Sequence, residues 1–196
     1  SVAADVAILL NVTPDHLDRY ASMAAYAAAK ARLFAMQPEG ATAIIATEDD
    51  RTRAIAAGLP ATLRLIRVSA ADIRPEDQAH WPALAGPHNA QNAACAIAAA
   101  RVLGIGADAI AAGLASYRGL PHRLEIVATI GGVRFVNDSK ATNPESVAPA
   151  LRAFPHVHWI AGGQAKTDSL DPCLPHLGNV RAAWLIGEAA PRFAGI

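Results

Sequence analysis

Short apolar runs alternate with alanine-rich stretches of helical period along this chain. Val6–Leu10 is an apolar run that breaks into Asn11-Val12-Thr13-Pro14-Asp15. That is the pattern of a buried strand feeding a helix, with Thr13 as cap and Pro14 at the first helical position. Ser22 caps a second predicted helix that runs to about Met36 and is ended by Pro38 and Gly40. Thr42–Ala46 and Leu63–Val68 read as further strands. Asp72–Pro87 carries three prolines and little periodicity, which predicts a loop. Asn89–Leu103 then predicts a helix stopped at Gly104, and Ala107–Tyr117 a helix stopped near Gly119.

Beyond Gly119 the texture becomes β-rich. Leu124–Ile130 and Val133–Val136 are separated by Gly131-Gly132, a strong two-residue hairpin signal, and the domain boundary is placed here, giving 1–119 and 120–196. Asn143-Pro144-Glu145 opens a helix to about Ala153, Val157–Ala161 is a strand ending in Gly162-Gly163, and after a loop Ala182–Ile186 is a strand ending in Gly187. The order of elements predicts an α/β class.

Composition narrows the options. Of 196 residues 53% are hydrophobic and 17% charged, against roughly 25% charged in average domains, so the chain forms a core. Seventeen basic residues balance seventeen acidic ones, which leaves no net field to attract nucleic acid or an anionic membrane. No apolar run reaches the roughly 18 residues of a membrane span, and residues 1–12 have no basic region before their apolar stretch. Cys95 and Cys173 suggest neither a disulfide framework nor a zinc site, which fits a reducing cytoplasm; a soluble chain and a monomer are expected. Lysine is rare: Lys30, Lys140 and Lys166 are the three among the seventeen basic positions.

Met23, Tyr26, Lys30, Leu33 and Phe34 share one helical face, so Lys30 sits on an apolar stripe. It is either a snorkelling side chain with its ammonium in water or a desolvated, nucleophilic amine able to take up carbon dioxide as a carbamate. Asp15-His16-Leu17-Asp18 follows a strand end, where α/β folds bind ligands; alternatively Asp15 serves the helix dipole and His16 is a surface residue. Asn89 and Asn92 share a face at i,i+3 and can read a nucleotide's hydrogen-bonding edge, or Asn89 is a plain N-cap. The Gly131-Gly132 turn pairs Ile130 with Val133. Continued, that register sets Glu125 opposite Asp138 and Arg123 opposite Lys140, gathering His122, Arg123, Asp138 and Lys140 at the hairpin's open end. Such a cluster holds ribose, phosphate or carboxylate, or else is surface ion pairing. Gly162–Thr167 superficially suggests a phosphate loop but has alanine at 165, where G-x-x-x-x-G-K-[ST] needs glycine. Lys166 there is a carboxylate anchor or a solvated loop lysine.

Five ordered stretches carry a resemblance: residues 11–20, Ala28-Ala29-Lys30, Gly86-Pro87-His88-Asn89-Ala90-Gln91-Asn92, Gly119-Leu120-Pro121-His122-Arg123, and Asn137-Asp138-Ser139-Lys140-Ala141-Thr142-Asn143. Together they resemble the Mur ligases, and the last two resemble the D-glutamate-adding branch. Sister ligases and folylpolyglutamate synthases typically carry a Tyr-x-His type sequence in place of residues 137–143.

The resemblance implies part of a central P-loop-type ATPase domain followed by part of a Rossmann-like C-terminal domain. It implies ATP-dependent addition of D-glutamate to UDP-N-acetylmuramoyl-L-alanine through an acyl phosphate, with Mg²⁺. By it, His16 and carbamylated Lys30 are metal ligands, and Asn89, Asn92, Arg123 and Asp138 contact the nucleotide. His122, Lys140, Thr142 and Lys166 face D-glutamate and the reacting phosphate, and Lys30, His16 and Lys140 are the catalytic set. The family's UDP-binding domain, its Gly-Lys-Thr loop and its longer final domain are missing from the resemblance, so an inactive piece of a ligase is expected. A non-catalytic binding module on this scaffold, or a sister Mur or folylpolyglutamate ligase, are the competing readings.

Overall fold

The computed structural model describes residues 3–14, 19–165 and 169–196. The chain divides into two compact units, one of residues 1–84 and 88–117, the other of residues 118–196 with 85–87.

The first unit is built on a three-stranded parallel sheet of β1 (Val6–Leu9), β2 (Thr42–Ala46) and β3 (Arg64–Val68), in that order. Helix α1 (Met23–Ala35) joins β1 to β2, and α2 (Asp50–Ala57) joins β2 to β3. Strand β2 is apolar apart from Thr42 and buried along its whole length because both of its faces are covered. Ala43 and Ile45 face a cluster with Leu9, Val12, Tyr26, Phe34 and Ala56. Ile44 and Ala46 face the opposite cluster with Val68, Ala94 and Cys95. Ser22 Oγ accepts from Ala25 N and caps α1, as its position predicts.

One helix goes beyond the expected elements, and one expectation changes. Helix α2 has no strong apolar period; its start is set by Asp49, whose Oδ1 accepts from Thr52 N at 2.8 Å while Oδ2 accepts from Val12 N at 3.2 Å. The expected loop 72–87 is instead a series of short helical turns: Ala70–Asp72, α3 (Pro75–Gln78) and Pro82–Leu84. Pro75 and Pro82 open turns rather than break them, since proline suits a first helical position. Trp81 and Leu84 are thereby buried against Ala93. Helix α4 (Pro87–Val102) follows, and α5 (Ala107–Ser116) closes the unit.

In the second unit β4 (Glu125–Ile130) and β5 (Val133–Asn137) form the hairpin. Helix α6 (Pro144–Ala153) has Asn143 and Ser146 in a reciprocal capping box. Strand β6 (Val157–Gly162) and β7 (Val180–Ile186) pair in parallel, and α7 (Ala190–Phe193) follows. The expected loop before β7 contains a 3₁₀ segment, Asp171–Asn179. Ala148, Leu151, Leu170 and Cys173 form the core between α6, this segment and the sheet. Glycine is required at 162, where φ is +143° and a Cβ would stand 1.8 Å from the Ile186 carbonyl oxygen.

Candidate functional site

In the first unit Lys30 lies on the face that carries Tyr26, with its ammonium 5.2 Å from the centre of the Tyr26 ring. The residue is exposed, with its stem on the apolar stripe and its charge over an aromatic face, which is the snorkelling geometry. Lys30 opens onto a cavity of about 560 Å³ at the C-terminal end of β1, shared with Leu10, Asn11 and Leu33. There Thr13 Oγ1 donates to Asn11 Oδ1 at 3.5 Å. The predicted helix start at Thr13-Pro14, and His16 with it, runs into residues 15–18, outside the described residues.

Helix α4 starts at Pro87, two residues before the expected start, because proline takes the first position. Asn89 is therefore inside the first turn and is not the N-cap. Its Oδ1 accepts from Asn92 Nδ2 at 3.2 Å, so the predicted shared face is formed. Between them, buried Gln91 donates through Nε2 to the Leu10 carbonyl at 2.8 Å, anchoring the helix start to the end of β1. Spacing alone gave no sign of Gln91; a polar residue in an otherwise alanine-rich buried helix was the available signal.

The second unit assembles a polar cluster at the open end of the hairpin. Ile130 pairs with Val133 as predicted, but Val127 is accommodated as a β-bulge, and behind it the register slips by one. Glu125 therefore faces Asn137, not Asp138. Arg123 is not opposite Lys140; it is His122 whose carbonyl accepts from Lys140 N, at 3.2 Å. Asp138 Oδ1 accepts from Leu124 N at 3.0 Å. His122 N donates to Glu125 Oε2 at 2.8 Å, and the His122 Nδ1 is 2.9 Å from Asn137 Nδ2.

This crowding has a backbone cost. His122 and Leu124 have φ of +64° and +46°, left-handed values that cost a non-glycine residue on the order of 1 kcal/mol or more. The strain is held by the hydrogen bonds on either side and turns the exposed Arg123 side chain out between two constrained residues. Burial pushes the Asp138 carboxyl above the ordinary carboxylate range, opposed by the Leu124 N–H and by the positive charge of Arg123. Thr142 and Lys140 are exposed nearby in sequence, before the Asn143 cap, and Lys166 lies outside the described residues.

A divalent cation needs hard oxygen donors, and among the described residues no three His, Cys, Asp or Glu side chains converge on one point. Lysine as an ammonium is not a ligand; as a carbamate it offers two anionic oxygens at the β1 cavity. The described residues thus suit a cation only through that covalent change. Cys95 and Cys173 are buried free thiols, each pushed up to about 11 chiefly by burial, which keeps them protonated and unreactive.

The sequence profile of the Mur ligase middle domain matches residues 1–100. The chain belongs to the Mur ligase family. Among Mur ligase relatives, the UDP-N-acetylmuramoylalanine–D-glutamate ligase of Sphingopyxis alaskensis is 58% identical over an alignment that covers 99% of this chain and 45% of that protein. The ligase of the same name from Novosphingobium aromaticivorans is 53% identical over 100% of this chain and 44% of its own length. This Mur ligase chain thus spans less than half the length of those curated relatives. MurF from Acinetobacter baumannii shares the fold with a TM-score of 0.68 at 19% identity, over 97% of this chain and 53% of its own. The apo form of L. casei FPGS does so with a TM-score of 0.65 at 18% identity, over 95% and 50%.

Proposed function

We propose that this chain is part of a D-glutamate-adding Mur ligase, in which residues 1–119 belong to the ATPase-type central domain and residues 120–196 to the C-terminal domain. The observation that carries the reading is the 58% identity to a D-glutamate ligase, which extends over 99% of the chain and so through both compact units. The strained, hydrogen-bonded cluster around residues 122–140 supports it, because it concentrates cationic and acceptor groups where an anionic substrate needs them.

In the intact enzyme the terminal carboxylate of UDP-N-acetylmuramoyl-L-alanine attacks the γ-phosphorus of ATP, and ADP leaves to give an acyl phosphate. The D-glutamate amine then attacks the acyl carbon, loses a proton, and inorganic phosphate departs. The protein's share is positioning and charge complementarity. Asn89 and Asn92, linked at 3.2 Å, face adenine and ribose. Arg123 and Asp138 contact ribose and phosphate. His122, Lys140, Thr142 and Lys166 hold D-glutamate and the transferring phosphate, with Lys140 donating to its oxygens. His16 and carbamylated Lys30 hold Mg²⁺, which when bound neutralises phosphate charge. The setting is the cytoplasm and the unit of function a monomer; among the described residues no helix is long and apolar enough to cross a membrane.

The test is phosphate release by the intact ligase containing this chain, given ATP, Mg²⁺ and UDP-N-acetylmuramoyl-L-alanine. Release is expected with D-glutamate and not with L-glutamate or L-serine; equal use of either of the latter refutes the reading. The 196-residue chain alone is expected to release none, and robust turnover by it refutes its assignment as a part.

A further inference from the structure

The cluster at the hairpin end contains one side chain whose orientation dictates the proton on another. Ser139 N is a backbone donor and lies 3.1 Å from Asn137 Oδ1, so that end of the amide is the acceptor. The opposite end, Nδ2, therefore faces His122 Nδ1 at 2.9 Å. An amide NH₂ only donates, which requires His122 Nδ1 to be an unprotonated acceptor and leaves the ring proton on Nε2. Glu125, an acidic group near that nitrogen, has Oε2 3.8 Å from Nδ1, too long for a hydrogen bond, and accepts the His122 backbone N–H instead. The β-bulge at Val127 is what sets Asn137 rather than Asp138 across from Glu125.

We propose that Asn137 is a positioning residue that holds His122 in the Nε2–H tautomer, so that His122 offers an uncharged N–H donor to a carboxylate or phosphate oxygen. Its consequence for D-glutamate rests on the ligase reading above; the tautomer itself does not. In the unslipped register the carboxylate of Asp138 would have been the residue across from Glu125, and a carboxylate draws the proton to Nδ1 and removes the donor from the outward edge.

The direct test is long-range ¹H–¹⁵N NMR of the ¹⁵N-labelled 196-residue chain in mildly alkaline buffer, with His122 identified by the signals lost in His122→Gln. Nδ1 is expected in the unprotonated range and Nε2 in the protonated range. Asn137→Asp, which puts a pure acceptor in place, is expected to reverse the pattern, and Glu125→Gln to leave it as in the wild type. A proton on Nδ1 in the wild type overturns the proposal, as does a reversal caused by Glu125→Gln. So does an unchanged pattern in an Asn137→Asp chain whose amide spectrum remains folded. In the intact ligase Asn137→Asp is expected to raise KM for D-glutamate roughly tenfold, the size of one lost charge-assisted hydrogen bond, with a smaller change in kcat. Unchanged KM overturns the functional part. Failure of the wild-type ligase to use D-glutamate overturns the ligase reading instead and leaves the NMR result standing.

Discussion

Replacing Asp49 by alanine tests how the end of β1 is held. One carboxylate oxygen caps α2 through Thr52 N at 2.8 Å, and the other accepts from Val12 N at 3.2 Å. Losing an N-cap costs about 1 kcal/mol. Val12 is 1% exposed, so its orphaned N–H has no water to turn to, and such a group costs roughly 1–2 kcal/mol more. Asp49→Ala is therefore expected to destabilise the first unit by about 2–3 kcal/mol, and Asp49→Ser, which keeps the cap alone, by about half of that. Urea unfolding followed by Trp81 fluorescence reads this unit in a background with Trp159 and Trp184 changed to Phe, since both of those lie in the other unit. A loss below about 0.5 kcal/mol for Asp49→Ala, or equal losses for the two variants, refutes the two-bond account.

Lys30→Arg keeps a cation over Tyr26 but has no amine to carbamylate; stability is expected to stay within about 0.5 kcal/mol while activity of the intact ligase falls roughly 100-fold or more. Retained activity in a steady-state assay rules out the carbamate. Asp138 has a folded-state carboxyl raised above its unfolded value, so its contribution to stability is full below the unfolded value and is lost as pH rises through the folded one. Asp138→Asn keeps an oxygen for Leu124 N–H; its stability relative to wild type is expected to improve as pH rises through that window, read by melting temperature against pH, while nucleotide affinity drops. A relative loss with rising pH contradicts the sign. Gly162→Ala is expected to destabilise the second unit by several kcal/mol, since the Cβ meets the Ile186 carbonyl; a near-wild-type urea midpoint shows that β6 and β7 do not approach as described.

Elements whose signals are local were legible in the chain. Ser22, Asn143-Pro144 and Gly131-Gly132 each act on backbone groups within four residues, so the starts of α1 and α6 and the tip of the hairpin follow from them. The Asn89–Asn92 pair is equally local, one helical turn apart. Helix α2 was not legible, because Asp49 makes half its contribution to Val12, 37 residues away. The turns between 70 and 84 were read as loop because prolines signal both breaks and first positions, and packing of Trp81 and Leu84 decides which.

By itself, then, the sequence determined the α/β class, the starts of α1 and α6, the tip of the hairpin, the family and the candidate site residues, since these depend on short-range sterics and on motif identity. Only the tertiary structure decided that Lys30 is exposed over Tyr26, that Gln91 ties α4 to β1, and that Asn137 rather than Asp138 lies across from Glu125. The last turns on a single residue. A β-bulge at Val127 costs little locally and leaves no mark in the alternation of apolar positions, yet it changes which side chain meets every partner behind it.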